Sequence, residues 1–358
     1  MKKVLLISNR VMHYRVSVYN YFYNRFKEFD WEFIVRSNQL QKQNPYPIEF
    51  NFKEIEFNFF KYREEIQKIK PDVVIFFLHL KDFIIWPLLI WLKTQNISIV
   101  FWTKGANLDD PDSKLRYHLF NFVHSICDRL ILYSKNEIEC IKERNRNKVF
   151  VANNTVNFKA FPEINETKDE IKKELGINFD KVVLSVGRMG EGGGRKKINQ
   201  LIEIFNDINM PGVGLVIVGS GVNDDLLNKT NRGNITYLGE IHDAKNVQIS
   251  KIFKMADVFS IPGHIGLGVN QAFYWGLPVV TGDYRQPPEV HYIVNGRNGF
   301  IIPDNDISEL KNKILYLLED DHVRMEFSKN ARKDILKNAS IENMFMGFKN
   351  CLDSLITI

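Results

Sequence analysis

Short apolar runs recur along the chain, each closing on a polar or glycine-bearing turn and leading into a segment with apolar residues three and four apart. Val4–Ser8 is the first such run, followed by the polar loop Asn9–Tyr14 and by aromatics at helical spacing from Val16 to Phe29. Trp31–Val35 predicts a second strand. Val73–Phe77 predicts a third, entered from Lys70-Pro71-Asp72, and Ile97–Phe101 a fourth that ends in the loop Trp102–Asn107. A helix through Lys114–Cys127 leads to the strand segment Asp128–Ser134, and Val149–Val151 then runs into Asn153-Asn154-Thr155-Val156-Asn157. Runs that are apolar at nearly every position belong to strands buried on both faces, as in a parallel sheet with helices above and below.

Composition shifts at Phe161–Gly176, where charge is dense and apolar strands are absent; this reads as a linker plus a first helix. A second alternating set follows, with strands at Val182–Val186, Gly214–Val218, Asn234–Tyr237, Val258–Ile261, Val279–Thr281 and Gly299–Ile302, and helices including Ile198–Asn206 and Val247–Met255. The pattern predicts an α/β protein with two Rossmann-like domains in series, residues 1–164 and 165–339. The tail Asn343–Ile358 is an amphipathic helix with Met344, Phe345, Phe348 and Leu352 at helical spacing, expected to pack back on the first domain from about residue 340.

A length of 358 residues fits two domains, and 44% hydrophobic with 25% charged content fits a soluble globular chain. Cys127, Cys140 and Cys351 are far apart and odd in number, which argues for a reducing compartment and against a disulfide framework. The opening MKKVLLISNRV has too short an apolar run for a signal peptide, and the ten apolar residues Phe83–Leu92, followed by Lys93, are about half of what a membrane span needs. They predict a buried or interface-touching helix, and no transmembrane segment is expected. Charge is uneven: residues 1–160 hold 25 Lys+Arg against 17 Asp+Glu, and the remainder 23 against 26. A basic first half suits an anionic partner, or simply a solvated surface. No nucleic-acid motif is present, so an anionic membrane surface ranks above nucleic acid.

The stretch Ser260–Pro303 concentrates candidate chemistry. A strand ends at Pro262, a turn with Gly263, Gly266 and Gly268 follows, and a helical run starts near Val269. Such a turn lets backbone N–H groups and the positive end of a helix converge on an anion, although an ordinary strand-to-helix corner has the same outline.

Several segments together, SVGRM, RKKINQLIEIF, LVIVGSG, ITYLGEIHD, GLPVVT and PPEV–NGRNGFI, resemble the retaining glycosyltransferases of family 4, whose B-type fold has two Rossmann-like domains facing a cleft. The resemblance covers nearly all of the second domain and, more weakly, the ends of the first. It implies that Arg188, next to Gly187, and Lys196 hold the diphosphate of a nucleotide-sugar donor, with Lys197 close enough to compete for the lysine's role. Cations there would meet the extra negative charge of the leaving group. The family's two glutamates, separated by seven residues, fall on Gly263 and Gln271. Gln271 can still bond a ribose, whereas contacts to the sugar pass to His264 or to the backbone of Gly266, Leu267 and Gly268. Glu289 resembles the family's Pro-Glu, Gly219 and Gly221 skirt the nucleotide, and Ile241 lies in the segment against the base.

In the first domain the resemblance places Arg10, His13, Arg15 and Lys104 on the acceptor side, with His13 a candidate catalytic group. Same-face substitution needs little from such a group, since the leaving phosphate itself takes the acceptor's proton. Asp109, Asp110 and Asp112 form no recognisable metal motif, so neither metal nor further cofactor is expected. The expected activity is transfer of a sugar, UDP-linked or otherwise nucleotide-linked, to a glycan or lipid-linked saccharide acceptor. The expected location is cytoplasmic, either free or peripheral on the cytoplasmic face of the inner membrane. The alternatives are a catalytically silent nucleotide-binding subunit, suggested by Gly263, and a sugar-nucleotide epimerase of the same fold. An epimerase needs acid and base groups on both sides of the sugar, and no convincing set is found.

Overall fold

The computed structural model describes residues 1–41, 44–106, 113–208, 210–221 and 233–356. The chain divides into two compact units, Met1–Lys159 with Ser340–Ile358, and Ala160–Ala339.

The first unit is built on seven parallel strands: β1 (Lys2–Val11), β2 (Trp31–Leu40), β3 (Asn51–Glu54), β4 (Val73–Phe77), β5 (Ser98–Thr103), β6 (Arg129–Leu132) and β7 (Val149–Val151). Their order is β3-β2-β1-β4-β5-β6-β7. β1 is central and buried on both faces: Val4 and Leu6 join one core cluster, Leu5 and Ile7 the other. The first cluster is closed by two helices, His13–Lys27 and the C-terminal Ile341–Asp353. Phe348 sits 4.9 Å from both the Phe22 and the Trp102 ring, and Phe345 lies 4.8 Å from Phe26. At these separations the rings pack edge to face, the favourable geometry for aromatic pairs.

On the opposite face lie the helices Phe59–Ile69, Ile85–Thr94 and Lys114–Ile126. Ile85, Leu88, Leu89 and Leu92 of the apolar run are buried, and among the described residues no helix is long and apolar enough to cross a membrane. Lys114–Ile126 carries His124, which is buried beside Phe101 and Phe120 at 6.2 and 5.8 Å. Among the described residues neither of its ring nitrogens has a hydrogen-bond partner, and burial lowers its pKa from 6.5 to about 4, so the ring is neutral. The last carbonyls of that helix are met by Lys148 Nζ, which donates to His124, Ser125 and Cys127 oxygens at 3.3, 2.9 and 3.0 Å. A cation at a helix C-terminus is favoured by the dipole.

The second unit has six parallel strands: β8 (Lys181–Val186), β9 (Val213–Val218), β10 (Ile235–Tyr237), β11 (Val258–Ile261), β12 (Val279–Gly282) and β13 (Gly299–Ile302), in the order β10-β9-β8-β11-β12-β13. In both sheets the order reverses direction at the first strand, between β1 and β4 and again between β8 and β11. The crevice beyond the carboxyl ends of the strands at such a reversal is where open α/β sheets bind ligands.

Several elements differ from the pattern read in the sequence. β1 does not stop at Ser8 but pairs with β2 through Arg10↔Gln39 and Val11↔Leu40, so Arg10 is a strand residue. The next helix starts at His13, not Val16, which puts His13 and Arg15 in its first turn. β3 and the helix Phe59–Ile69 escape the apolar pattern. β3 is a short edge strand with mostly exposed residues, and the helix shows one apolar stripe among charges. That helix carries a local signal nonetheless: the Asn58 side chain accepts from the Phe60 and Lys61 N–H groups at 2.9 and 3.1 Å.

Candidate active site

In the second unit the loop after β8 and the loop after β11 meet at the reversal point, and Lys196 joins them. Lys196 ends the 3-10 segment Glu191–Lys196 and donates from Nζ to the carbonyls of His264 and Ile265, the latter at 3.1 Å. The backbone reciprocates: Gly263 N–H donates to Lys196 O at 3.0 Å and His264 N–H to Arg195 O at 2.8 Å. A Cβ added at Gly187 would lie 3.4 Å from Lys196 Cε, and one at Gly266 would lie 3.9 Å from its Nζ. The ammonium therefore sits between two glycines, one from each loop. Desolvation there lowers its pKa from 10.5 to about 8, against the opposing pull of the nearby Glu289 carboxylate and with a smaller push from Arg195. Glu289 is buried in the turn Pro288–Tyr292.

Lys197 is separated from its neighbour by its backbone. It adopts a left-handed conformation with φ 54°, and its ammonium pairs with Asp304, accepts no share of the glycine cradle, and lies 3.8 Å above the Tyr284 ring. It also donates to Asn305 Oδ1 at 2.9 Å. Arg188 is exposed, and no hydrogen bond or ion pair holds its side chain among the described residues.

The glycine positions are packed to their limit. Gly187 N–H donates to Val218 O at 2.9 Å and Met189 N–H to Ser220 O at 2.8 Å, which zips the loop after β8 to the loop after β9. A Cβ at Gly219 would fall 2.0 Å from Gly187 O, so only glycine fits this approach, and Gly221 packs similarly against Gly190. Gly263 is equally constrained, because a Cβ there would stand 2.0 Å from the Arg195 carbonyl oxygen. The position that aligns with the family's first glutamate therefore has no room for a side chain in this backbone arrangement.

Beyond Gly263 the chain turns through Ile265, Gly266 and Leu267 into the helix Gly268–Tyr274, which carries a half-buried Gln271. The N–H groups of Gly266 and Leu267 find no acceptor among the described residues. Ile241 follows β10 in a loop where His242 Nε2 lies 3.1 Å from Glu240 Oε1.

One organiser of this loop was not singled out in the sequence. Gln286 Nε2 donates to Gly263 O, Thr281 Oγ1 and Gly282 O at 2.8, 2.9 and 2.5 Å, while its Oε1 accepts from Ile265 N–H at 3.1 Å. Thr281 Oγ1 in turn donates to Ile261 O at 2.7 Å. A lone Gln ahead of Pro287-Pro288 gives no warning that carbonyls distant in sequence converge on it.

Arg10, His13, Arg15 and Lys104, expected on the acceptor side, all belong to the first unit. Arg10 is bonded to Gln39 Oε1 from Nε and Nη2 at 3.0 and 2.5 Å. His13 Nδ1 lies 3.0 Å from Gln41 Oε1. Arg15 is buried, donates from Nη2 to Asn154 Oδ1 at 2.7 Å, and lies 4.8 Å above the Trp102 ring. Lys104 follows β5 and is half-buried. Asp109, Asp110 and Asp112, like Asn107, lie outside the described residues. Among the described residues no group of three or more His, Cys, Asp or Glu is placed to hold a metal ion.

Two parallel α/β sheets of this strand order are the architecture of the B-type glycosyltransferase fold. Solved structures agree in architecture: HepE of Anabaena, crystallised with UDP, superposes with a TM-score of 0.77 over 99% of this chain and 100% of that chain at 14% identity. Sucrose-phosphate synthase of Thermosynechococcus elongatus gives 0.75 over 100% of both chains at 17% identity. At the level of sequence, residues 167–334 match the family described as glycosyl transferases group 1. The match lies wholly within the second unit, which thus carries that family's pattern. Among curated relatives, an uncharacterized glycosyltransferase of Methanocaldococcus jannaschii is 24% identical over 74% of this chain and 70% of its own length. A trehalose synthase of Pyrococcus horikoshii is 26% identical over 71% of this chain, which spans less than two thirds, 63%, of that relative.

Proposed function

We infer that the chain is a retaining glycosyltransferase that moves a hexose from a nucleotide-diphosphate sugar, UDP-linked, to a glycan or lipid-linked saccharide in surface polysaccharide or glycoconjugate assembly. The observation that carries this reading is the Lys196 ammonium, desolvated between Gly187 and Gly266 and tied to the carbonyls of the loop after β11. In that surrounding a cation has more to gain from a diphosphate than a solvated one does. Arg188 supplies a second, exposed charge, and the N–H groups of Gly266 and Leu267 supply donors. Negative charge grows on the diphosphate as the sugar leaves, so these groups act more strongly on the transition state than on the bound donor. They do so without a divalent ion.

In this reading Gly219 and Gly221 flank the nucleotide, Ile241 meets the base, Gln271 the ribose, and His264, Leu267 and Gly268 the sugar side. Glu289 holds the charge balance of Lys196, and Lys197 braces the site through Asp304. Residues 165–339 take the donor. Residues 1–164, with Arg10, His13, Arg15 and Lys104, take the acceptor. Support for UDP comes from HepE, solved also with UDP-glucose. Support for polysaccharide assembly comes from a capsular polysaccharide glycosyltransferase, CapM of Staphylococcus aureus, 24% identical over 60% of this chain.

The test is a thermal-shift panel of UDP- and GDP-sugars followed by turnover assays. A ligand at 100 times its Kd stabilises by about 2.7 kcal/mol. Lys196→Ala and Arg188→Ala should each lower kcat by about 10² or more, and near wild-type turnover in both would overturn the assignment. Gly263 favours a second reading, a catalytically silent nucleotide-binding subunit, because no carboxylate can stand where a Cβ meets the Arg195 carbonyl. UDP binding without transfer to any acceptor, or donor hydrolysis, would select it.

A further inference from the structure

Gly263 brings no side chain to the loop after β11, and the carboxamide that attends to this point comes from the loop after β12. Gln286 bonds both peptides that flank His264, giving a hydrogen to the Gly263 carbonyl and accepting from the Ile265 N–H. Thr281 is fully buried and directs its own hydrogen to the Ile261 carbonyl at 2.7 Å, so towards Gln286 it accepts. The orientation of the carboxamide is therefore fixed. Turned over, its oxygen would face Gly263 O, Gly282 O and Thr281 Oγ1, and its NH2 group would face the Ile265 N–H.

The backbone of Gly263–Leu267 is otherwise occupied almost throughout. Gly263 and His264 N–H groups bond Lys196 and Arg195 carbonyls, and the His264 and Ile265 carbonyls receive Lys196 Nζ. The Gly266 and Leu267 carbonyls accept from Val269 and Gln271 N–H at 3.4 and 3.3 Å. Among the described residues, this leaves the N–H groups of Gly266 and Leu267, next to the Lys196 ammonium. Lys196 and Gln286 are thus the side chains that hold the segment, each through different peptide groups.

We propose that Gln286 is a positioning residue for the donor's diphosphate. By fixing the two peptides around His264 it keeps the Lys196 ammonium and the N–H groups of Gly266 and Leu267 in the arrangement that the departing diphosphate requires. Both hydrogens of its amide are spent within the fold, so it acts through the loop and not by touching the donor. The inference rests on the reading of Lys196 as a diphosphate ligand. Donors held in place act most on charge as it develops, so a loosened loop costs transition-state binding before it costs donor affinity.

The experiment is steady-state kinetics with the nucleotide sugar that the wild type turns over, expressed per UDP-binding site counted by calorimetric titration, so that unfolded molecules are left out. Gln286→Ala should lower kcat by about 10- to 100-fold, with donor KM moving by less than about threefold. Gln286→Glu keeps the volume and can still accept from Ile265, but an ionised carboxylate cannot donate. It should do no better than Gln286→Ala, and wild-type turnover in Gln286→Glu would reduce the role to packing and overturn the proposal. An unchanged kcat in Gln286→Ala, with or without a raised KM, overturns it and leaves the donor reading intact. A wild type that binds UDP without turnover also overturns it, since no transition state is then served. A wild type that neither binds UDP nor turns over a nucleotide sugar removes the donor reading and this inference together. In the unliganded chain, Gln286→Ala should cost the Ile265 amide its protection from exchange; protection that survives overturns the proposal whatever the wild type binds.

Discussion

Lys196 has the most telling environment of any single side chain here. Desolvation brings its pKa down to about 8, so the ammonium that a diphosphate would meet is present below that pH and is lost above it. Affinity of the unliganded protein for UDP should therefore fall as pH rises from about 7 to about 9. Lys196→Arg should flatten the dependence, because guanidinium does not titrate there. Calorimetric titration across that range checks it, and a pH-independent affinity would remove Lys196 from the phosphates. The shift acts on stability with the opposite sense: between about 8 and 10.5 the unfolded chain holds a proton that the fold has released, so Lys196 makes the fold more stable as pH rises. Lys196 was legible in the sequence as one of two adjacent lysines. What separates it from Lys197 is a left-handed backbone angle and an Asp304 partner, and neither has a signature in the string Arg195-Lys196-Lys197. Gln286 was not legible at all, because its role consists of carbonyls that only the fold brings together.

Among elements, the helix Lys114–Ile126 shows how a segment can be read correctly while its weak point is overlooked. Its bounds followed from apolar spacing, but periodicity does not tell a core histidine from a core leucine. His124 is neutral in the fold, with a pKa of about 4, and titrates near 6.5 once exposed. Between those values the unfolded chain binds the additional proton, so acid favours unfolding there, by about 3 kcal/mol in all. In urea unfolding followed from about pH 7 to about pH 4, His124→Phe should lose that part of the slope, its ring falling between Phe101 and Phe120. An unchanged slope would show that other groups carry the acid sensitivity. The strands were the most legible elements, because burial on both faces leaves unbroken apolar runs such as Val73–Phe77 and Val258–Ile261. β3 left no such trace, since an edge strand of Asn51-Phe52-Lys53-Glu54 has only one neighbour to satisfy.

For the whole molecule, the alternation of strands and helices disclosed two domains, and the amphipathic tail was rightly expected on the first. The bounds found are Lys159 and Ser340, where contacts change hands, whereas the sequence pattern suggested 164 and about 340. Phe348 is the sharpest probe of this arrangement, fully buried between Phe22 and Trp102. Phe348→Ala should cost about 3–5 kcal/mol. Amide exchange should then show protection lost in residues 1–159 and retained in 160–339. Equal loss in both would mean that the units do not open independently.

The return of the helix Ile341–Asp353 to the first unit also sets a timetable for synthesis. A ribosome completes β1–β7 long before it makes the helix that covers them, and the whole of Ala160–Ala339 is translated in between. At about 5–20 residues per second the wait is on the order of ten to forty seconds. Throughout it, the apolar face formed by Phe22, Phe26 and Trp102 lacks its cover. The nascent first half thus waits with an uncovered apolar face, while the second unit, continuous in sequence, can fold as it emerges.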